Sequence, residues 1–172
     1  MTAWMRLAAR CACMGFFVLL AGPASAAGTV VGVREIAVFS KERGQDLAVT
    51  VWYPAQLGGT AQSLGESVLF QGTKAMLEAP IAQAAYPLIV LSHGVGLGGS
   101  PQAMSWLATP LAEQGYIVAA PAHPGNGGAH RSAAQTIKLW LRPTDISATL
   151  DALQQQPPFA KHLATGRVGV LG

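Results

Sequence analysis

Three short apolar runs constrain this chain most: Pro87-Leu88-Ile89-Val90-Leu91-Ser92, Tyr116-Ile117-Val118-Ala119-Ala120-Pro121 and Arg167-Val168-Gly169-Val170-Leu171. Each is too short for a buried helix and lacks polar–apolar alternation, which marks a strand covered on both faces. The segments between them carry helix signals. Ser100-Pro101 supplies an N-cap and a first-turn proline, followed by a stripe of Met104, Leu107, Ala108 and Leu111, with Gly115 as the stop. Thr144 to Gln155 repeats the pattern with Ile146, Leu150 and Leu153 on one side. Strand, helix, strand, helix, strand with short links predicts an α/β fold with a mostly parallel sheet. Upstream, Val30 to Ser40 and Leu47 to Pro54 flank the polar Lys41–Asp46 segment, so an antiparallel hairpin is expected to precede that sheet. Residues 55–86 are ambiguous, Gly-rich at first and then a short helix around Lys74 to Glu78.

Composition narrows the class. The chain of 172 residues is 51% hydrophobic and only 11% charged, which excludes a disordered protein. A net charge of +3 with no run of Lys or Arg gives no footprint for nucleic acid. Residues 1–26 look like an address: Arg6 and Arg10, an apolar run from Cys11 to Ala21, then Pro23-Ala24-Ser25-Ala26. That run falls short of the ~20 residues needed to span a bilayer, so a cleaved secretory signal is expected, with no stable membrane anchor after cleavage. The expected mature domain, 27–172, is then secreted or periplasmic. Both cysteines leave with the signal, removing disulfides and thiolate chemistry from the domain.

In an open parallel sheet, function gathers at the carboxyl ends of the strands. The first such end is Ser92-His93-Gly94-Val95-Gly96-Leu97-Gly98-Gly99. Two chemistries use a glycine turn there. Counted from Gly94, the spacing is that of a dinucleotide-binding turn, but the next strand ends in Ala122-His123 without the acid that would hold a ribose hydroxyl. Alternatively the backbone N–H of Val95, between Gly94 and Gly96, faces the oxyanion of an acyl-transfer intermediate, a contribution of about 3–4 kcal/mol in other enzymes. His93 then orients the turn through hydrogen bonds, and His123, at the end of the second strand, either lines the pocket or structures its loop. His123 and His130 lack metal-ligand spacing, so neither a metal nor a cofactor is expected. Asp145 and Asp151, with Arg142, read as a helix cap and a solvated face. Trp52, Trp106 and Trp140 read as core or cleft packing.

Four segments, in order, resemble the α/β-hydrolase fold in its dienelactone hydrolase and platelet-activating-factor-acetylhydrolase-like branch. They are Leu47 to Pro54, Pro87 to Gly94, Gly115 to Asn126, and Arg142-Pro143-Thr144-Asp145-Ile146 with Leu150-Asp151-Ala152-Leu153. The resemblance implies a serine hydrolase of carboxylic esters or small acyl groups, with a small-molecule ester as its partner. It also implies a Gly-x-Ser-x-Gly elbow directly after the strand Arg167–Leu171, followed by the acid and the histidine. Gly172 matches the first glycine of that elbow, and no serine here has glycine two residues away on both sides. The expectation is therefore an amino-terminal part of a hydrolase, ending after its fifth strand, with no catalytic serine, acid or histidine of its own. The contrasting expectation is a non-catalytic or dinucleotide-binding α/β domain built on the turn at 94–99.

Overall fold

The structure is a computed structural model that describes residues 30–172 other than 69 and 128–130. The segment expected to be a signal lies outside the described residues. Seven strands form one sheet: β1 (Val30–Ser40), β2 (Gln45–Ala55), β3 (Thr60–Leu64), β4 (Thr73–Leu77), β5 (Tyr86–Leu91), β6 (Ile117–Pro121) and β7 (Leu163–Leu171). Their order across the sheet is β3-β4-β1-β2-β6-β5-β7. The helices are α1 (Ser105–Glu113), preceded by a 3-10 turn over Pro101–Met104, then α2 (Ala133–Thr136) and α3 (Arg142–Gln155). Ser100 caps the first of these turns, its Oγ accepting from the Ala103 N–H at 3.2 Å.

The α/β class stands, and so does the amino-terminal hairpin, whose register runs from Val30 opposite Ala55 to Ser40 opposite Gln45. The sheet is more mixed than the apolar runs implied. β6, β5 and β7 are parallel, and so are β1 and β4, but β1–β2, β2–β6 and β3–β4 are antiparallel. The final strand is therefore the seventh, because two strands sit in the ambiguous stretch. The helix expected around Lys74–Glu78 is β4. Lys, Ala, Met, Leu and Glu all favour helix, but the open edge of β1 offers partners, and the Glu78 N–H donates to the Val33 carbonyl at 2.9 Å. β3 lies at the sheet's rim and exposes four of its five residues, so it leaves no apolar period to detect.

β2 explains how the layers form. Val49, Val51, Tyr53 and Ala55 face one side with Leu88, Val90, Ile117 and Leu153, while Trp52 faces the other with Val118, Ala120, Ala108 and Ala112. The alternation is that of any strand, but here both faces are covered, by α3 on one side and α1 on the other. Tyr53 meets Phe159 edge-on at 5.7 Å and donates its hydroxyl to the Ala79 carbonyl at 2.8 Å. Of the three tryptophans expected in core or cleft, Trp52 is fully buried and Trp106, though largely exposed, lines a cavity, whereas Trp140 is largely exposed and departs from expectation. β7 departs as well. Read as buried on both faces, it is mostly exposed, because it pairs with β5 alone at the end of the sheet.

The crossovers fix where a site forms. From β5 the chain crosses through α1 to β6 on one side, then returns through α3 to β7 on the other. The carboxyl end of β5 is thus the point at which the winding reverses, where an open α/β sheet leaves a crevice. Leu153 anchors α3 to the sheet with no exposure. Replacing it with Ala is expected to cost about 2–5 kcal/mol, read as a lowered urea midpoint with an unchanged slope.

Candidate active site

Three elements converge at the carboxyl end of β5. Ser92 still belongs to the ladder, since its N–H donates to the Leu171 carbonyl of β7 at 2.7 Å. The chain then leaves the sheet at His93. The loop after β6 brings His123 alongside, its ring 4.8 Å from that of His93. From the first turn of α3, Asp145 reaches the same place, and the hairpin turn between β1 and β2 contributes Arg43.

The buried centre is Asp145. Its carboxylate accepts two 2.7 Å hydrogen bonds from the Arg43 guanidinium and a third, also 2.7 Å, from His123 Nδ1. All three side chains are buried. Burial alone would raise the carboxyl pKa, but the bonds from His123 and Arg43 hold it below the ordinary carboxylate value. This corrects the expectation of a cap or solvated face for Asp145. Asp151 does lie on the exposed side of α3. With Nδ1 committed to the carboxylate, His123 Nε2 shares a hydrogen bond with the Ser92 hydroxyl, 2.9 Å away.

A second chain of bonds runs from His123 to the glycine turn. The His123 backbone N–H donates to His93 Nε2 at 3.1 Å, so that nitrogen carries no proton. The proton sits on Nδ1 and is donated to the Gly94 carbonyl at 2.8 Å. Arg142, at the start of α3, donates from Nη1 to the His93 carbonyl at 2.8 Å. The His93 ring, the His93 carbonyl and the Gly94 carbonyl are all held. By contrast, neither Gly94 nor Val95 donates its N–H to another described residue, and both are exposed. Gly96 follows with φ +75°, a left-handed conformation that only glycine adopts cheaply, and starts a short 3-10 turn. Gly99 then lies against the backbone of the β6 loop, where a Cβ would strike the Asn126 carbonyl.

The sequence-derived candidates thus separate into two layers. Gly94, Val95 and Gly96 form an exposed turn above. His93 and His123 lie beneath it, 1% and 3% exposed, and His123 also borders a shallow cavity of about 310 Å³. His130 lies outside the described residues. Arg43 and Asp145 are the members that sequence reasoning missed. A polar hairpin turn and a helix-start acid are ordinary surface features, and only the tertiary arrangement brings them together. A further cavity of about 480 Å³ opens beside Gly94, with Phe70, Gln102, Met104 and Trp106 among its walls.

The His93 network makes a pH prediction. Burial, foremost, drives the His93 pKa down from 6.5 to about 4. A folded value below the unfolded one means that the unfolded chain binds more protons in that window. The contribution is complete above pH 6.5 and is lost as pH falls toward 4, on the order of 3 kcal/mol in all. Asp145, held below its ordinary value, acts with the same sign at still lower pH. Urea midpoints should fall steadily between pH 6.5 and 4; a midpoint unchanged over that interval contradicts the His93 assignment.

Comparison with known proteins places the fold and the family. No curated protein matches the chain. Among solved structures it is similar to a ferulic acid esterase from Streptomyces cinnamoneus, at 24% identity and a TM-score of 0.64, over 87% of this chain and 53% of that one. The chain therefore spans about half the length of that protein, and the likeness establishes an α/β-hydrolase fold. Weaker likenesses include a Klebsiella pneumoniae protein described as a dienelactone hydrolase, at 15% identity and a TM-score of 0.48 over 82% of this chain and 49% of that one. Another is oligopeptidase B from Leishmania major, at 14% identity and a TM-score of 0.49 over 81% and 16%. The model of the family described as platelet-activating factor acetylhydrolase, isoform II, matches residues 44–145, from the hairpin turn to the buried aspartate. That match takes in more than half of the sequence, and the chain belongs to this family.

Proposed function

We propose that this protein is a secreted or periplasmic serine hydrolase of carboxylic esters or small acyl groups, and that residues 27–172 form its amino-terminal part. The observation that carries the proposal is the glycine turn after β5, in which Gly94 and Val95 are exposed residues whose N–H groups have no hydrogen-bond acceptor among the described residues. In acyl transfer such donors stabilise the oxyanion of the tetrahedral intermediate. The serine, its histidine base and the orienting acid are supplied by the remainder of a longer protein, beyond Gly172. Coverage of only 53% of the ferulic acid esterase supports this, as does the lack of a Gly-x-Ser-x-Gly sequence.

The cavity beside Gly94 suits a small ester. Its volume of about 480 Å³ falls in the range of small-molecule sites, and Phe70, Met104 and Trp106 give it an apolar wall. A dinucleotide is the poorer fit. The third glycine of the spacing, Gly99, is packed against Asn126 rather than open to a phosphate, and the loop after β6 places no acid at its start.

Ser92, His123 and Asp145 have the connectivity of a nucleophile, base and acid. We assign them a supporting role instead. Ser92 remains in the β5–β7 ladder rather than on a strand-to-helix elbow, and both partners are fully buried.

Residues 27–172 expressed alone are expected to leave p-nitrophenyl acetate at the buffer rate and to be poorly soluble, since β7 presents an unpaired apolar edge. The full-length gene product is expected to hydrolyse it and to react with a fluorophosphonate at a serine after Gly172. Labelling at Ser92, or soluble and active 27–172, overturns the proposal. In the full-length product, Trp106→Ala is expected to raise KM for p-nitrophenyl butyrate several-fold and leave thermal stability nearly unchanged, because Trp106 is 63% exposed.

A further inference from the structure

The two candidate oxyanion donors are held from behind, and the holding groups belong to α3. A peptide unit is planar and trans, so its N–H points opposite to its carbonyl. Fixing the His93 carbonyl therefore fixes the N–H of Gly94, and fixing the Gly94 carbonyl fixes the N–H of Val95. Both carbonyls are fixed, the first by Arg142 Nη1 at 2.8 Å and the second by His93 Nδ1 at 2.8 Å. The His93 ring is itself located by the His123 N–H, and the His123 ring by Asp145. Arg142 and Asp145 lie three residues apart on the first turn of α3, so a single helix start governs both peptide planes.

We propose that Arg142 and Asp145 are positioning residues for the oxyanion turn, aiming the N–H groups of Gly94 and Val95 at the developing negative charge without touching substrate. Arg142 acts directly on the 93–94 peptide. Asp145 acts through His123 and His93 on the 94–95 peptide. The proposal rests on the acyl-transfer reading of this site and adds to it residues that the turn motif itself does not contain. It also gives the buried Ser92–His123–Asp145 relay a task. The Ser92 hydroxyl lies at His123 Nε2 and Asp145 at Nδ1, so the ring is held at both nitrogens.

The test uses the full-length protein and the variants Arg142→Gln and Arg142→Lys, because Asp145→Asn would leave Arg43 buried beside a weakened partner and endanger folding. For Arg142→Gln, kcat toward p-nitrophenyl acetate is expected to fall about 10- to 100-fold with KM within about threefold. Affinity for a trifluoromethyl ketone, whose adduct carries the oxyanion, should fall in parallel with kcat. Arg142→Lys, whose longer side chain carries a charged donor nearer to the His93 carbonyl than the Gln amide, should recover part of both. In parallel, 15N relaxation of the Gly94 and Val95 amides is expected to show greater mobility in Arg142→Gln than in the parent, with unfolding temperatures close to one another. A folded Arg142→Gln protein with parental kcat, or with amides as ordered as the parent's, overturns the proposal. A parent that turns over no ester overturns the hydrolase reading instead, and the amide measurement then still decides whether Arg142 orders the turn.

Discussion

One buried carboxylate holds this architecture at its working end. Asp145 gathers the hairpin turn through Arg43, the β6 loop through His123 and, by its own place in the chain, the start of α3. A charge with no exposure persists only when it is paired and hydrogen-bonded, and here three donors meet one carboxylate. Removing one member of such a group leaves another charge uncompensated, typically at 3–5 kcal/mol. The glycine turn inherits its geometry from this arrangement, because the same helix start that carries Asp145 also carries Arg142.

Hydrophobic burial builds the frame that makes the meeting possible. β2 buries both faces from Val49 onward, and its alternation sends Tyr53 toward α3 and Trp52 toward α1. The two crossover helices therefore lie on opposite faces, and the strand between their crossovers, β5, ends in the crevice. Nothing in the turn itself chooses that location. It follows from the order in which three parallel strands are visited.

Much of this is legible in the amino-acid sequence alone. The uninterrupted runs ending at Ser92 and Pro121 marked β5 and β6 because strands buried on both faces leave no polar interruptions. The Ser-Pro signal located the capped turn before α1 to within a residue. The short strands β3 and β4 were not legible, since one exposes most of its length and the other is written in helix-forming residues that a neighbouring edge overrides. The turn at 93–96 could be singled out from its glycines and its place after a strand. Its support could not. Arg43 and Asp145 stand 102 positions apart, and an ordinary charged turn and an ordinary helix start carry no local mark of a mutual ion pair.

That separation has a consequence for how the molecule assembles. Arg43 stays hydrated until α3 brings Asp145 to it across about a hundred intervening residues. Closing so long a loop costs entropy that local contacts cannot repay, and contacts distant along the chain are those that slow folding. The ion pair and the packing of α3 through Leu153 therefore belong to one event, because the same helix makes both. A chain in which α3 has not docked carries the glycine turn without the groups that hold it.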